Sequence, residues 1–165
     1  MNNLPLEVDS LVQEFIRDWH KAFEMNEPAI IEDRLHEEVR FFSPALYKPK
    51  KGKKEVSSLL ALAYETLRNY RVTDTWIKGH EVIFEFSAEV DGGAFTVQGV
   101  DRLTLDHQGK IIELKVWIRP FTGLKAVSQS ILQKILRDYS VAQKFLFWIQ
   151  VKWNQLKELL GFARL

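Results

Sequence analysis

The spacing of the apolar residues predicts that the chain opens with an amphipathic helix. Leu11, Phe15, Trp19 and Phe23 recur at intervals of four residues, which places them on one face of a helix. The pattern extends over about residues 6–25. Polar residues fill the intervening positions, so one face is predicted to be buried and the other solvated.

Two shorter elements are predicted next. Asn26 belongs to a residue type that favours the N-cap, and Pro28 suits a first helical turn, so a second helix is predicted to about Leu35. Residues 39–43 contain a valine and two phenylalanines, which predicts a short strand. The strand is predicted to end at Pro44, because proline cannot donate a hydrogen bond to a sheet.

A third helix and a run of strands complete the pattern. The apolar residues of 54–69 return to helical spacing, and the segments after them alternate as strands do. Hairpin turns are predicted at 91–93 and 106–109, which are rich in Asp and Gly. The predicted strands cover residues 72–78, 82–90, 95–103 and 111–119. Helices followed by hairpin-linked strands indicate an α+β fold.

One carboxylate interrupts an apolar strand face. Asp101 alternates in phase with Phe95, Val97, Gly99 and Leu103, so it is predicted to point towards the core. Burying a carboxylate costs several kcal/mol unless it is paired, hydrogen-bonded or protonated. Asp101 therefore predicts a pocket that contains one acid, although a purely structural hydrogen bond would also explain it.

Composition narrows the class of protein. The chain has 165 residues, 46% of them hydrophobic and 27% charged, which predicts a globular protein with one main core. The net charge of +1 gives no electrostatic argument for nucleic-acid binding. The chain has no cysteine, so thiolate chemistry and disulfides are excluded. With no secretory pattern in the first residues and no long apolar run, a cytoplasmic location is expected.

Metal and cofactor sites are not predicted. His36 is followed by Glu37 and Glu38, but no second histidine stands one helical turn further on. The remaining histidines are far apart in sequence. We therefore expect neither a metal ion nor a cofactor.

A basic segment precedes the third helix. Residues 48–54 contain five lysines. Such a run could act as a nuclear-localisation or phosphate-binding patch, or simply form a solvated loop at the mouth of a pocket. At such a mouth, the lysines would steer an anionic ligand inward.

The C-terminal region is basic and strongly apolar on one side. Residues 128–165 contain six basic and two acidic residues, a net charge of 6 − 2 = +4. Two helices are predicted, over about 121–137 and 139–160, with the domain boundary between residues 122 and 123. Their apolar stripe could pack on the domain, form a homodimer interface or lie on a membrane surface.

Three local motifs resemble one superfamily. Residues 52–56 resemble the entry to its third helix, residues 100–103 its Asp-bearing strand, and residues 106–112 the turn into its last strand. Together with the order of elements, they make residues 8–122 similar to the nuclear transport factor 2-like superfamily, especially its SnoaL-like branch. This family includes ketosteroid isomerases, polyketide cyclases, dehydratases and epoxide hydrolases, and also many non-enzymatic binding and interaction modules.

The resemblance implies a fold and a pocket. The expected fold is a curved antiparallel sheet wrapped with the N-terminal helices into a cone, a cystatin-like roll, followed by two C-terminal helices. Asp101 is the candidate catalytic acid, base or hydrogen-bond donor. Trp76 is a further aromatic candidate for the pocket. The predicted pocket-lining residues are Phe15, Trp19, Phe41, Ser43, Tyr47, Tyr64, Phe86, Ala88, Val97, Leu114, Val116 and Ile118.

The chemistry of the resembled enzymes is incomplete in this chain. The ketosteroid isomerase pattern places its strand Asp on Asp101, its oxyanion Tyr on Phe15 and its general base on Ser43. Phenylalanine has no hydroxyl to donate, and a serine is not a base at neutral pH without a partner. The epoxide hydrolase pattern needs an arginine where this chain has Gly99.

Two functions remain open from the sequence. The first is binding of a hydrophobic small molecule in an apolar pocket beside Asp101, with acid–base chemistry as an extension. The second is a non-catalytic interaction module whose basic, aromatic C-terminal helices bind a partner or a membrane surface.

Overall fold

The computed structural model describes residues 9–91, 93 and 95–137 of the chain. The chain divides into two compact units, residues 1–131 and 132–165. The elements of the first unit follow. The predicted boundary after residue 122 stays a prediction.

Two helices open the described chain. Helix α1 spans Ser10–Met25, with the carboxylate of Asp9 accepting a hydrogen bond from the backbone N–H of Leu11. Asn26 is not the N-cap of the next helix: it ends α1 in the left-handed conformation, at φ 53°, which asparagine tolerates. Helix α2 spans Pro28–Arg34 and begins at its proline, as predicted.

The segment after α2 contains more strand than its pattern predicts. Strand β1 spans Leu35–Phe42, and the predicted 39–43 is its second half. Strand β2, Lys50–Lys51, lies within the predicted basic loop and pairs with Arg40 and Phe41 of β1. Helix α3 spans Lys53–Thr66. It ends three residues earlier than predicted, because Leu67 is already extended.

Four long strands follow. They are β3, β4, β5 and β6, at Leu67–Lys78, Glu81–Val90, Phe95–Leu105 and Ile111–Arg119. Each pairs with the next in antiparallel register. Every one of the predicted strands is confirmed, and β3 begins five residues earlier than its apolar pattern indicates.

The strands form one curved, open sheet in the order β2-β1-β6-β5-β4-β3. The predicted α+β class is confirmed. One detail differs, because β1 runs parallel to β6. The sheet is therefore mixed rather than fully antiparallel, since the long connection through α3 and β3–β5 brings β6 alongside β1 in the same direction.

Helix α4, Phe121–Ile135, follows β6. Its residue Val127 is buried with side chains of β4 and β5, and the buried hydroxyls of Ser130 and Thr66 lie 3.3 Å apart. The predicted second C-terminal helix, residues 139–160, lies outside the described residues. In the part of the chain that the structure describes, no helix is both long and apolar enough to cross a membrane.

One face of the sheet carries the core. Along β4, buried and partly exposed residues alternate without exception, as a strand with one covered face requires. Helices α1, α2 and α3 contribute to the core on this inner face. The outer face carries charged residues and two half-exposed tryptophans, Trp76 and Trp117.

Candidate functional site

Asp101 lies on the inner face of the sheet, as its strand phase predicts. It pairs with Phe84 of β4 on one side and Val116 of β6 on the other. Its residue surface is only 6% exposed. A carboxyl group is thus held in the middle of an apolar sheet face, where water cannot solvate it fully.

A tyrosine hydroxyl is the hydrogen-bond partner of this carboxyl group. The hydroxyl of Tyr70 donates to Oδ2 of Asp101 over 2.9 Å. Nε1 of Trp19 donates to the same hydroxyl over 3.4 Å, at the long end of hydrogen-bond geometry. The three side chains therefore form a hydrogen-bond series in which Trp19 of helix α1 donates to Tyr70 and Tyr70 donates to Asp101.

Aromatic rings stack around this chain. Phe23 lies between two tyrosines, with ring centroids 4.3 Å from Tyr64 and 3.7 Å from Tyr70. On its other face, Tyr70 stacks on Phe86 at 4.8 Å. We call Tyr64, Phe23, Tyr70 and Phe86 the ring ladder. It fixes the position of the Tyr70 hydroxyl and surrounds Asp101 with apolar surface.

Burial changes the acidity of the groups in the site. It raises the pKa of Asp101 to about 7, although the hydrogen bond from Tyr70 partly opposes this. Burial, together with the nearby charge of Asp101, also raises the pKa values of Tyr64 and Tyr70. Near neutral pH the carboxyl group can therefore hold or release a proton, while both phenols stay protonated.

Gly99 makes room for the ring ladder. A Cβ atom at this position would lie 2.4 Å from the ring of Phe86 and 2.5 Å from the backbone oxygen of Trp117. Neither distance is compatible with a side chain. The absence of a side chain at Gly99 thus lets the ring of Phe86 pack closely against the backbone of β5.

Most predicted lining residues are buried, but they fall into two clusters. Val116 packs at the edge of the first cluster, and Ile118 at the edge of the second. The first contains Phe15, Trp19, Phe41, Tyr64 and Leu114. The second contains Phe86, Ala88 and Val97. Trp19 belongs to the first and Tyr70 packs against the second, so their hydrogen bond connects the two clusters.

Three aromatic or polar candidates lie elsewhere. Tyr47 is 92% exposed in the loop after β1, because the chain there leaves the sheet. Trp76 points to the outer face, where it pairs with Ile83. The hydroxyl of Ser43 accepts a hydrogen bond from the backbone N–H of Ala45 over 3.2 Å, which is a local turn contact.

Sequence reasoning missed Tyr70 and Phe23. Tyr70 was predicted to lie between a helix and a strand, but it belongs to β3. The register of β3 shifts between Arg68 and Arg71, and Asn69 there has φ 50°. An asparagine before an alternating segment is a signal for such a bulge, because it accepts the left-handed conformation.

The basic loop and the outer sheet face carry separate features. Lys50 pairs with Glu55 at the start of α3, with Nζ and Oε1 2.7 Å apart. On the outer face, Glu85, Val100, Trp117 and Arg119 line a surface depression of about 170 Å³.

Among residues 9–91, 93 and 95–137, no cluster of three or more acidic or histidine residues could hold a metal ion.

The family follows from a comparison of sequences. The model of the SnoaL-like domain matches residues 16–114, more than half of the 165 residues. The chain therefore belongs to the SnoaL-like domain family, within the nuclear transport factor 2-like superfamily. The match includes Trp19, Tyr70 and Asp101. A search of curated proteins found no match.

Solved structures share the fold. A steroid delta-isomerase from Pseudomonas aeruginosa is 25% identical, with a TM-score of 0.74 over 80% of this chain and 96% of its own. An uncharacterized bacterial protein with a cystatin-like fold from Silicibacter pomeroyi is 24% identical, with a TM-score of 0.70, over 82% and 92%. An NTF2-like protein of unknown function from Mesorhizobium loti is 16% identical, with a TM-score of 0.62, over 71% and 98%.

Proposed function

We propose that the protein binds a hydrophobic small molecule on the inner face of the sheet, with Asp101 as its polar contact. The observation that carries this proposal is the hydrogen bond of Tyr70 to the carboxyl group of Asp101, a residue that is only 6% exposed. A carboxyl group buried only for packing lowers stability, so its presence favours a role in the site.

The surroundings of Asp101 support an apolar ligand. Phe84 and Val116 lie beside it on the neighbouring strands, and the ring ladder lies over it. Aromatic and aliphatic walls with one or two polar groups are typical of small-molecule sites. Such walls bind apolar surface, and the polar groups orient the ligand.

Acid–base chemistry is a further step of the same proposal. A carboxyl group whose pKa is near 7 can accept a proton and return it at neutral pH. Tyr70 would hold the carboxylate in one orientation during such a transfer. In its protonated form, Asp101 would instead donate a hydrogen bond to an oxygen of the ligand.

Analysis of co-purified compounds tests the binding proposal. Full-length protein and the variant Asp101→Asn would be purified in parallel, and organic extracts compared by mass spectrometry. Asp74→Asn is the matched control, because Asp74 is an exposed aspartate at the outer face of β3. We expect an apolar compound that is enriched in the wild type and in Asp74→Asn, and depleted in Asp101→Asn.

The opposite result is equally informative. Identical extracts from all three proteins would contradict the role of Asp101. A compound that is retained only by Asp101→Asn would also contradict it, because the carboxyl group would then oppose binding.

We expect no isomerisation of ketosteroids at an enzymatic rate. Phe15 is fully buried and has no hydroxyl, and the Ser43 hydroxyl is engaged by its own turn. Loss of one oxyanion donor lowers a rate by about 10²–10³-fold, and loss of the base by about 10²–10⁴-fold. An ultraviolet assay with an unconjugated ketosteroid would contradict the expectation if it detected turnover that Asp101→Asn abolishes.

Self-association through the outer face is a second proposal. Trp117 is 51% exposed there, beside Glu85 and Arg119. A two-fold axis near Trp117 would bring the acidic group of one copy towards the basic group of the other. Sedimentation velocity should show a dimer that Trp117→Ser weakens. A wild type that remains monomeric at high concentration would contradict this proposal.

A further inference from the structure

Tyr64 has a buried hydroxyl without a hydrogen-bond partner. The residue is 5% exposed, and its hydroxyl has no partner among the described residues. Native proteins rarely leave a buried hydroxyl unpaired, because burial removes its hydrogen bonds to water. We infer that the Tyr64 hydroxyl donates a hydrogen bond to a neutral oxygen acceptor on the bound ligand. This inference rests on the proposed ligand-binding function.

The contrast with Tyr70 locates the vacant donor. Both tyrosines belong to the ring ladder, and Phe23 stacks on each of them with interplanar angles of 16° and 14°. The Tyr70 hydroxyl has a donor in Trp19 and an acceptor in Asp101. The Tyr64 hydroxyl has neither among the described residues. The ladder thus carries one hydroxyl that is engaged by the protein and one that is available to a ligand.

The chemistry of the site restricts what Tyr64 can bind. Burial and the nearby Asp101 raise the pKa of the Tyr64 phenol, so it stays protonated and remains a donor. Asp101 also disfavours a second negative charge in this apolar environment. The matching ligand group is therefore a carbonyl, ester or ether oxygen rather than a carboxylate or a phosphate.

The ring of Tyr64 holds the donor in place. It is buried in the first cluster and stacks at 4.3 Å on Phe23, which in turn lies 5.3 Å from Trp19. Because these rings limit rotation, the hydroxyl has a fixed direction before a ligand binds. A fixed donor discriminates strongly between ligands with and without an acceptor, since a ligand without one leaves the hydroxyl unpaired.

Two matched probes test the inference. Acetophenone and ethylbenzene are alike in size and apolar surface, but only acetophenone has an acceptor oxygen. Their affinities would be measured by proton–nitrogen NMR titration of the full-length protein, following the indole N–H of Trp19. The variants are Tyr64→Phe and, as a matched loss of a phenol, Tyr47→Phe at the exposed Tyr47.

We expect Tyr64→Phe to weaken acetophenone binding about fivefold and to leave ethylbenzene binding unchanged. Tyr47→Phe should change neither affinity. Equal acetophenone affinities in the wild type and Tyr64→Phe would overturn the inference. If both probes nevertheless bind near Trp19, the proposed function stands. Wild-type protein that binds neither probe would overturn both.

Stability provides a second readout. Removal of an unpaired hydroxyl should leave the melting temperature of Tyr64→Phe equal to or above that of the wild type. A melting temperature clearly below that of Tyr47→Phe would show that the hydroxyl has a partner within the protein. That result would overturn the inference without affecting the proposed function.

Discussion

Asp101 and Arg102 are consecutive residues of β5, but they lie in opposite environments. Asp101 points inward and is 6% exposed, with the Tyr70 hydroxyl as its partner. Arg102 points outward and pairs with Glu81 across the strands, with side chains that are 41% and 37% exposed. Because successive side chains of a strand point to opposite faces of the sheet, two neighbouring residues can lie in opposite environments.

The pKa values of the carboxyl groups of Asp101 and Glu81 are shifted in opposite directions. Burial raises the pKa of Asp101 to about 7. The hydrogen bond from Arg102 lowers the pKa of Glu81 instead. The inner face thus favours the neutral acid and the outer face the charged one. Of these two carboxyl groups, Asp101 is the one that can exchange a proton near neutral pH.

The largest expected difference between the two faces concerns packing. Phe84 is fully buried and its ring lies 5.3 Å from that of Trp19. Phe84→Ala should lower the free energy of unfolding by about 3–5 kcal/mol. Ser87→Ala, at an outer-face position of the same strand, should change it by less than about 0.5 kcal/mol. Urea denaturation measures both. Similar losses in the two variants would contradict the assignment of faces.

The next effect is the pH dependence of Asp101. Its pKa rises from 3.8 in the unfolded chain to about 7 in the folded protein, so the folded state binds the proton more tightly. The contribution of Asp101 to stability is therefore highest below pH 3.8, falls as the pH rises towards 7, and is constant above it. The fall is at most about 4 kcal/mol. Asp101→Asn should remove it, so the difference between variant and wild type should grow over this range.

Asp106 is the matched control for this measurement. Burial is the largest single influence and opposes ionisation, but the hydrogen bonds from the backbone N–H groups of Lys110 and Gln108 outweigh it and the pKa of Asp106 is lowered. Its contribution is present above pH 3.8 and lost as the pH falls through the lowered value. Asp106→Asn should thus be less stable than the wild type above pH 3.8, by an amount that stays constant up to pH 7 and disappears only in acid. A wild type and an Asp101→Asn variant with parallel pH profiles would contradict the buried-acid assignment.

The part of the fold that sequence predicts best is β4 to β6. Phe84, Phe86 and Ala88 alternate with polar or charged residues, and Gly-containing turns separate the strands. One face is buried, so the alternation fixes the register. The inward position of Asp101 follows from the same argument. Local pattern and tertiary structure agree in this region.

The part that sequence predicts poorly is β3 and the ring ladder. The bulge at Asn69 changes the phase of β3 and turns Tyr70 inward. Helical spacing continues through Leu67, so it gives no sign that α3 ends at Thr66. The parallel pair of β1 and β6 joins segments more than 70 residues apart, which no local pattern encodes. The sequence does not identify Tyr70 as the partner of Asp101, because the inward position of Tyr70 depends on the end of α3 and on the bulge at Asn69.

The smallest expected effect concerns Arg102. Its ion pair with Glu81 is solvated, and such pairs are weakened by salt and by the entropy of long side chains. Arg102→Gln should hardly change the urea midpoint, and high salt should remove what difference there is. A double-mutant cycle with Glu81→Gln would isolate the pair. A large loss of stability that depends on protein concentration would contradict this expectation. It would show that the interface proposed at Trp117 extends to Arg102, and so that Arg102 and Asp101 are both buried in the assembled protein.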